Sequence, residues 1–244
     1  MSPLPKTTQN TSAAIAAILF DKDGTLMDFQ ASWGPWAQGV ILEICGGPGE
    51  KAEAVAQAMG FDLAQARFHP DSAIIAGTPE DVLNLLQPHF PHLAPDQLLA
   101  CLDADPARFS PKPVAGLGDM CMALTQAGYA LAVVTNDFEA SAHDHLRQMD
   151  VSTYFSAVIG YDSGCGGKPA PGPCLGAAQR LGVDPSACVM VGDSLHDLAA
   201  GRAAGMCTVA VLTGVAVAAE LAPHADVVLN SVADLPDWLR HRQI

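Results

Sequence analysis

Asp21 and Asp23 stand two residues apart in Leu19-Phe20-Asp21-Lys22-Asp23-Gly24-Thr25, directly after an apolar run over residues 16–20. Residues two apart in an extended chain point to the same side, so both carboxylates reach one space at the end of a strand. Such a pair can divide nucleophilic attack from proton transfer when one acid is ionised and the other protonated. Gly24 permits close backbone approach, free amides after a strand suit a phosphate, and an Asp carboxylate can carry a phosphoryl group as an aspartyl-phosphate. Three further segments offer complementary groups. Val133-Val134-Thr135-Asn136-Asp137 brings a hydroxyl followed by backbone amides, Gly166-Gly167-Lys168-Pro169 a single lysine in a loop stiffened by proline, and Val191-Gly192-Asp193-Ser194-Leu195-His196-Asp197 two acids at i and i+4.

Each segment alone has a plainer reading. An isolated acid pair can end a strand in a capped turn, Thr135 can cap a helix, Lys168 can be a surface lysine, and Asp193 and Asp197 can sit at a helix start, where the dipole favours acids. Their order, each at or after a strand-like run, sets them together, because open α/β sheets bind ligands outside the carboxyl ends of their strands.

Holding these groups side by side requires a parallel sheet. Apolar, β-branched runs at 16–20, 130–135, 156–160, 187–191, 208–212 and 226–229 alternate with helical patterns. This predicts an α/β protein with a doubly wound, Rossmann-like parallel sheet. Leu117, Met120, Cys121 and Leu124 repeat at i, i+3, i+4 and i+7, one buried helix face, with Gly128 where a C-cap belongs. Residues 28–110 lack strand runs and carry helical patterns at 36–44, 51–59, 80–86 and 97–102, separated by Gly and Pro breaks. An all-helical insertion over 28–110, on a core built from 1–27 and 111–244, is the expected organisation.

With DKDGT at 21–25, the strand end at Thr135, Lys168 before Pro169 and GDSLHD at 192–197, the chain over about residues 15–230 resembles the haloacid dehalogenase superfamily of aspartate-nucleophile phosphotransferases. The resemblance implies that Asp21 attacks phosphorus and that Asp23 serves as acid and then base. Thr135, Asn136 and Lys168 would hold phosphoryl oxygens. Mg²⁺ would be bound by the Asp21 carboxylate, the Asp23 backbone carbonyl and Asp193, supported by Asp197, Gly24 and Thr25. The 28–110 insertion is similar in place and character to the caps of phosphoglycolate phosphatases and β-phosphoglucomutases. The implied activity is hydrolysis of a small phosphorylated metabolite, phosphoglycolate first, with a sugar-phosphate mutase as the alternative. Phospho-receiver domains share an Asp, a hydroxyl and a Lys but lack the D-x-D-G-T pair. Two positions depart from the family pattern: Lys22 stands where an apolar residue is usual, and Phe29 where Ser is frequent.

The rest of the composition narrows the field. With 26 acidic and 12 basic residues the formal charge is −14, which argues against binding a nucleic-acid backbone. A phosphate dianion would depend on local cations, and Mg²⁺ with Lys168 would supply them. The early apolar run at 13–20 is too short to span a bilayer. Residues 1–12, with a single lysine, read as a loose tail rather than a secretory signal. Seven dispersed cysteines without C-x-x-C spacing read as reduced thiols of a cytoplasmic protein. The G-x-G-x-x-A match at Gly47 is interrupted by Pro48, and His143/His145 and His89/His92 lack a third clustered ligand. Trp33 and Trp36 can either face a substrate or anchor the insertion, while Arg67 and His69 are candidates to meet a substrate carboxylate. The oligomeric state is left open.

Overall fold

The computed structural model describes residues 14–102 and 109–242; the expected tail at 1–12 lies outside them. The chain enters through β1 (Ala17–Phe20) and then leaves the sheet. It forms α1 (Phe29–Cys45), α2 (Glu50–Ala58), a hairpin of β2 (Phe61–Asp62) and β3 (Arg67–Phe68), α3 (Pro79–Leu86) and α4 (Pro95–Cys101). On its return come α5 (Leu117–Gln126), β4 (Ala130–Val134), α6 (Glu139–Gln148), β5 (Phe155–Ile159) and α7 (Gly172–Leu181). β6 (Cys188–Gly192), α8 (Leu195–Ala203), β7 (Cys207–Val211), α9 (Ala218–Leu221), β8 (Val227–Leu229) and α10 (Leu235–Arg242) complete it.

Six strands form one parallel sheet in the order β5-β4-β1-β6-β7-β8. β1 is central, so both its faces are covered, and its four residues are all buried, as continuous apolar runs in parallel sheets require. Ile18, Phe20, Val133 and Val191 pack with Leu117, Met120 and Leu124 of α5 on one face, as the helical spacing predicts. On the other face Leu19, Val134 and Met190 meet Ala177 and Ala178 of α7 and Ala200 of α8. The register pairs Phe20 with both Val133 and Val191, so Asp21, Thr135 and Asp193 emerge close together. Strand order reverses beside β1, and a crevice forms there.

The insertion differs from the expected all-helical form in one respect. The β2–β3 hairpin is real but only two residues per strand, too short to register as an alternating pattern. Its turn closes because the Asp62 carboxylate accepts from the amides of Ala64 and Gln65 at 3.0 and 2.9 Å. Helix α1 also begins well before the expected 36–44 segment. The Asp28 side chain accepts the Ala31 amide at 2.9 Å and caps the helix, and Pro35 is tolerated inside it. Gly34 lets the Ala66 carbonyl of the hairpin approach where a Cβ would collide. The outgoing and returning chains run together: the Asp28 amide donates to the Lys112 carbonyl at 2.8 Å and the Val114 amide to that of Leu26 at 3.0 Å.

Among the described residues no helix is long and apolar enough to cross a membrane. All seven cysteines are free.

Candidate active site

Asp21 follows β1, Asp193 follows β6, and Asp197 occupies the first turn of α8. One oxygen from each lies within 4.8 Å of the others. Lys168 reaches into the group from the loop after β5. Its Nζ donates to Asp21 Oδ1 at 2.5 Å, to Asp197 Oδ1 at 2.6 Å and to the Val134 carbonyl at 2.8 Å. Burial opposes the charge on Lys168, but Asp197 and Asp21 outweigh it and its ammonium is held more firmly than usual. Burial lifts the Asp21 carboxyl to about 7 despite Lys168, with Asp197 and Asp23 adding to the rise. Burial, then Asp21 and Asp197, also raise Asp193 well above the ordinary range.

Three acids crowded on one ammonium in a buried space are short of positive charge, and Asp21 and Asp193 therefore hold their protons more tightly than usual. Carboxylates in this arrangement fit a hard divalent cation, which takes oxygen ligands. The seat of Asp193 is shaped for a fixed carboxylate: Thr25 Oγ1 donates to its Oδ1 at 3.0 Å, while Gly24, at φ +84°, and Gly214 crowd its carboxylate so closely that a Cβ at either would overlap it. Asp197 serves two ends. Its Oδ2 accepts from the Ser194 amide and hydroxyl at 3.0 and 2.6 Å, closing the capping box of α8, while Oδ1 faces Lys168.

Asp23 is not part of this acid cluster. Its carboxylate takes the Trp33 indole N–H at 2.5 Å and the Lys22 ammonium at 2.9 Å. Lys22 is fully buried and also reaches Asp137 Oδ2 at 3.0 Å and His145 Nδ1 at 2.9 Å. Burial favours the acid form of Asp23, but Lys22 and the Trp33 N–H prevail and hold its carboxyl below the usual range. Asp137, where burial prevails over Lys22, is raised. Sequence reasoning missed this second cluster. The available signal was Lys22 itself, a cation at the buried end of a strand that demands partners, with Asp137 at the neighbouring strand end.

Thr135 is buried, its Oγ1 accepting the Asp137 amide at 3.1 Å. The Asn136 carboxamide is fully engaged: Oδ1 accepts the Lys168 amide at 2.8 Å, and Nδ2 donates to the carbonyls of Lys168 and Ala76, both at 3.0 Å. It therefore holds the Lys168 loop, and a contact from residue 136 to a phosphate falls to its backbone N–H. A cavity of about 560 Å³ opens from Asp21, Asp23, Thr135, Lys168 and Asp193 toward the insertion, with Trp33, Trp36 and His196 on its walls. Arg67 and His69 do not line it. The G-x-G-x-x-A segment runs from the loop after α1 into the first turn of α2, which starts at Glu50.

A doubly wound sheet with acids and a lysine gathered at its switch point is the frame of a hydrolase class, and comparison with known proteins agrees. A family model described as haloacid dehalogenase-like hydrolase matches residues 15–205. The chain belongs to that family. It is 40% identical to a phosphoglycolate phosphatase of Neisseria meningitidis over 48% of this chain and 46% of the relative, about half the length of each. It is 29% identical to the pyrophosphatase PpaX of Bacillus velezensis over 92% of this chain and 96% of the relative. The crystal structure of a predicted phosphoglycolate phosphatase from Haemophilus somnus superposes with a TM-score of 0.67 at 20% identity, covering 92% of this chain and 97% of the other.

Proposed function

We propose that the protein is a Mg²⁺-dependent phosphomonoester hydrolase working through an aspartyl-phosphate on Asp21. The carrying observation is the Lys168 ammonium set between Asp21 and Asp197 beside Asp193 at the floor of the cavity. An Asp21 oxygen attacks phosphorus, the bond to the leaving oxygen breaks, and that oxygen takes the Asp23 proton. Asp23 then accepts a proton from the water that attacks the phosphoryl group, and the bond from phosphorus to Asp21 breaks. Lys22 and Trp33 hold Asp23 ionised without substrate, the form the second step uses; a phosphate dianion beside it favours the protonated form the first step needs. Lys168, Thr135 and the amide of Asn136 hold phosphoryl oxygens.

The Asp21 and Asp193 carboxylates with the Asp23 carbonyl would hold Mg²⁺, which supplies charge neutralisation at the phosphate. Residues 28–110 form a cap over a core of 1–27 and 111–244, excluding water from the reaction. Phosphoglycolate, the substrate in the names of several relatives, enters the test first.

Phosphate release from a panel of phosphomonoesters, with Mg²⁺ or EDTA and with Asp21→Asn, tests the reading. Turnover that needs Mg²⁺ and disappears in the variant is expected. A variant rate close to wild type would overturn the assignment of Asp21.

A further inference from the structure

The walls of the cavity do not suit a charged leaving group. Above the acid cluster they are formed by Trp36, Ile41, Ile75, Leu86, Leu99 and Leu102, all from the 28–110 insertion. Among the described residues lining the cavity, the basic side chains are Lys168 and His196. Lys168 is bound to Asp21 and Asp197 at the floor, and His196 Nδ1 lies 3.3 Å from the Ala76 carbonyl. The lining includes seven acids, Asp96 and Asp162 being the two outside the strand-end clusters and their neighbours. A carboxylate or second phosphate on the leaving group would meet no free cation among these lining residues, and the carboxylates of Asp96 and Asp162. The indole N–H of Trp36 is itself buried, so this ring presents carbon to the cavity.

Size agrees with charge. At about 30 Å³ per water molecule, 560 Å³ holds roughly nineteen waters' worth of ligand, well beyond a phosphate with a two-carbon acid. Cavities of this size and lining accept ligands that bury most of their surface on apolar side chains.

We infer that the substrate is a monophosphate ester of a neutral, largely apolar alcohol, with the phosphate on the strand-end cluster and the alcohol in the insertion's cavity. This assignment rests on the phosphatase reading. Catalysis there replaces the ester bond by the free alcohol and inorganic phosphate, with water as co-reactant.

The test is a chain-length series of straight-chain alkyl phosphates from ethyl to octyl, with phosphoglycolate and the ω-carboxylated analogue of hexyl phosphate, on the wild-type protein with Mg²⁺. Alkyl leaving groups in this series have similar intrinsic reactivity, so differences report binding. kcat/KM is expected to rise about fourfold per methylene through hexyl, chiefly through KM, and to fall at least tenfold when the ω-carboxylate is added. Leu99→Lys, at a half-buried wall position, is expected to reverse the preference between hexyl phosphate and its carboxylated analogue. A flat chain-length profile, or phosphoglycolate turned over better than hexyl phosphate, overturns the apolar substrate while leaving the phosphatase standing. No Mg²⁺-dependent phosphate release from any compound overturns the phosphatase reading, and the substrate class with it.

Discussion

The Lys22 ammonium lies 2.9 Å from Nδ1 of His145, across 123 residues of sequence, with both side chains buried. A nitrogen that close to an ammonium accepts its hydrogen, so the imidazole is neutral with its own proton on Nε2. That N–H is buried without an acceptor, and the ring is packed against Phe109 and Trp33 at centroid distances of 4.3 and 5.9 Å. Asp137 Oδ2, 3.8 Å from the ring, makes no ion pair with a neutral His145. Among the described residues, Lys22 is the charge-balancing partner that Asp137 shares with Asp23.

The pH dependence of stability follows. Burial, then Lys22, pull the His145 pKa down from 6.5 to about 3. Between those values the unfolded chain binds a proton that the folded protein does not, so stability rises with pH through the window and is lost as pH falls through it. Comparing urea unfolding at pH 7.5 and 5.0, wild type should lose about 2 kcal/mol more than His145→Gln, at about 1.4 kcal/mol per pH unit below 6.5. Equal losses in both proteins would remove His145 from the explanation.

Removing the Lys22 charge strands two buried carboxylates. Lys22→Met should lower the unfolding free energy by about 3–5 kcal/mol. In a double-mutant cycle with Asp137→Asn, the paired variant should recover about 1–3 kcal/mol relative to the sum of the single changes. Additivity within about 0.5 kcal/mol would mean that the 3.0 Å contact between them carries no coupling.

Gly214 marks the tolerance of the cation seat. Gly214→Ala drives a Cβ into the Asp193 carboxylate, so Mg²⁺ affinity measured by calorimetry should fall about 10–100-fold while circular dichroism stays that of the folded protein. Unchanged affinity would exclude Asp193 as a ligand.

Asn136→Ala should uncouple the Lys168 loop. Two backbone groups of residue 168 lose their partner, at about 1–3 kcal/mol of stability. A misplaced ammonium should reduce kcat/KM for alkyl phosphates by about a hundredfold. A variant with wild-type kinetics and lowered stability would confine Asn136 to a structural part.

The strand-end groups were legible in the sequence because each follows a short apolar run and the parallel register brings run ends level. Asp21 and Asp193 needed only that rule; Lys168, well past the end of β5 at Ile159, was singled out as a lysine in a proline-stiffened loop and given its role by the family resemblance. The Lys22 cluster was not legible, since Asp137 and His145 join it from 115 and 123 residues away and His145 comes from a helix whose inward face carries only Ala142, His145 and Leu146. The early start of α1 did not show in the sequence, because Gly34 and Pro35 are poor helix formers inside its first half. Only the later hairpin, with the Ala66 carbonyl against Gly34, gives that glycine its reason. Likewise the apolar cavity depends on which sides of α1, α3 and α4 face one another, a matter of tertiary packing rather than period.

The Ala76 carbonyl accepts from Asn136 Nδ2 at 3.0 Å and lies 3.3 Å from His196 Nδ1. Asn136 is the same residue that fixes Lys168, and His196 sits one position before Asp197. An outward movement of the turn at Ala76 gives up one contact to each of these side chains, while Asn136 keeps both its bonds to the Lys168 backbone. The turn is thus fastened to the strand ends through two side chains that stay in place without it, and the ammonium rests on Asp21, Asp197 and the Val134 carbonyl whichever way the turn lies.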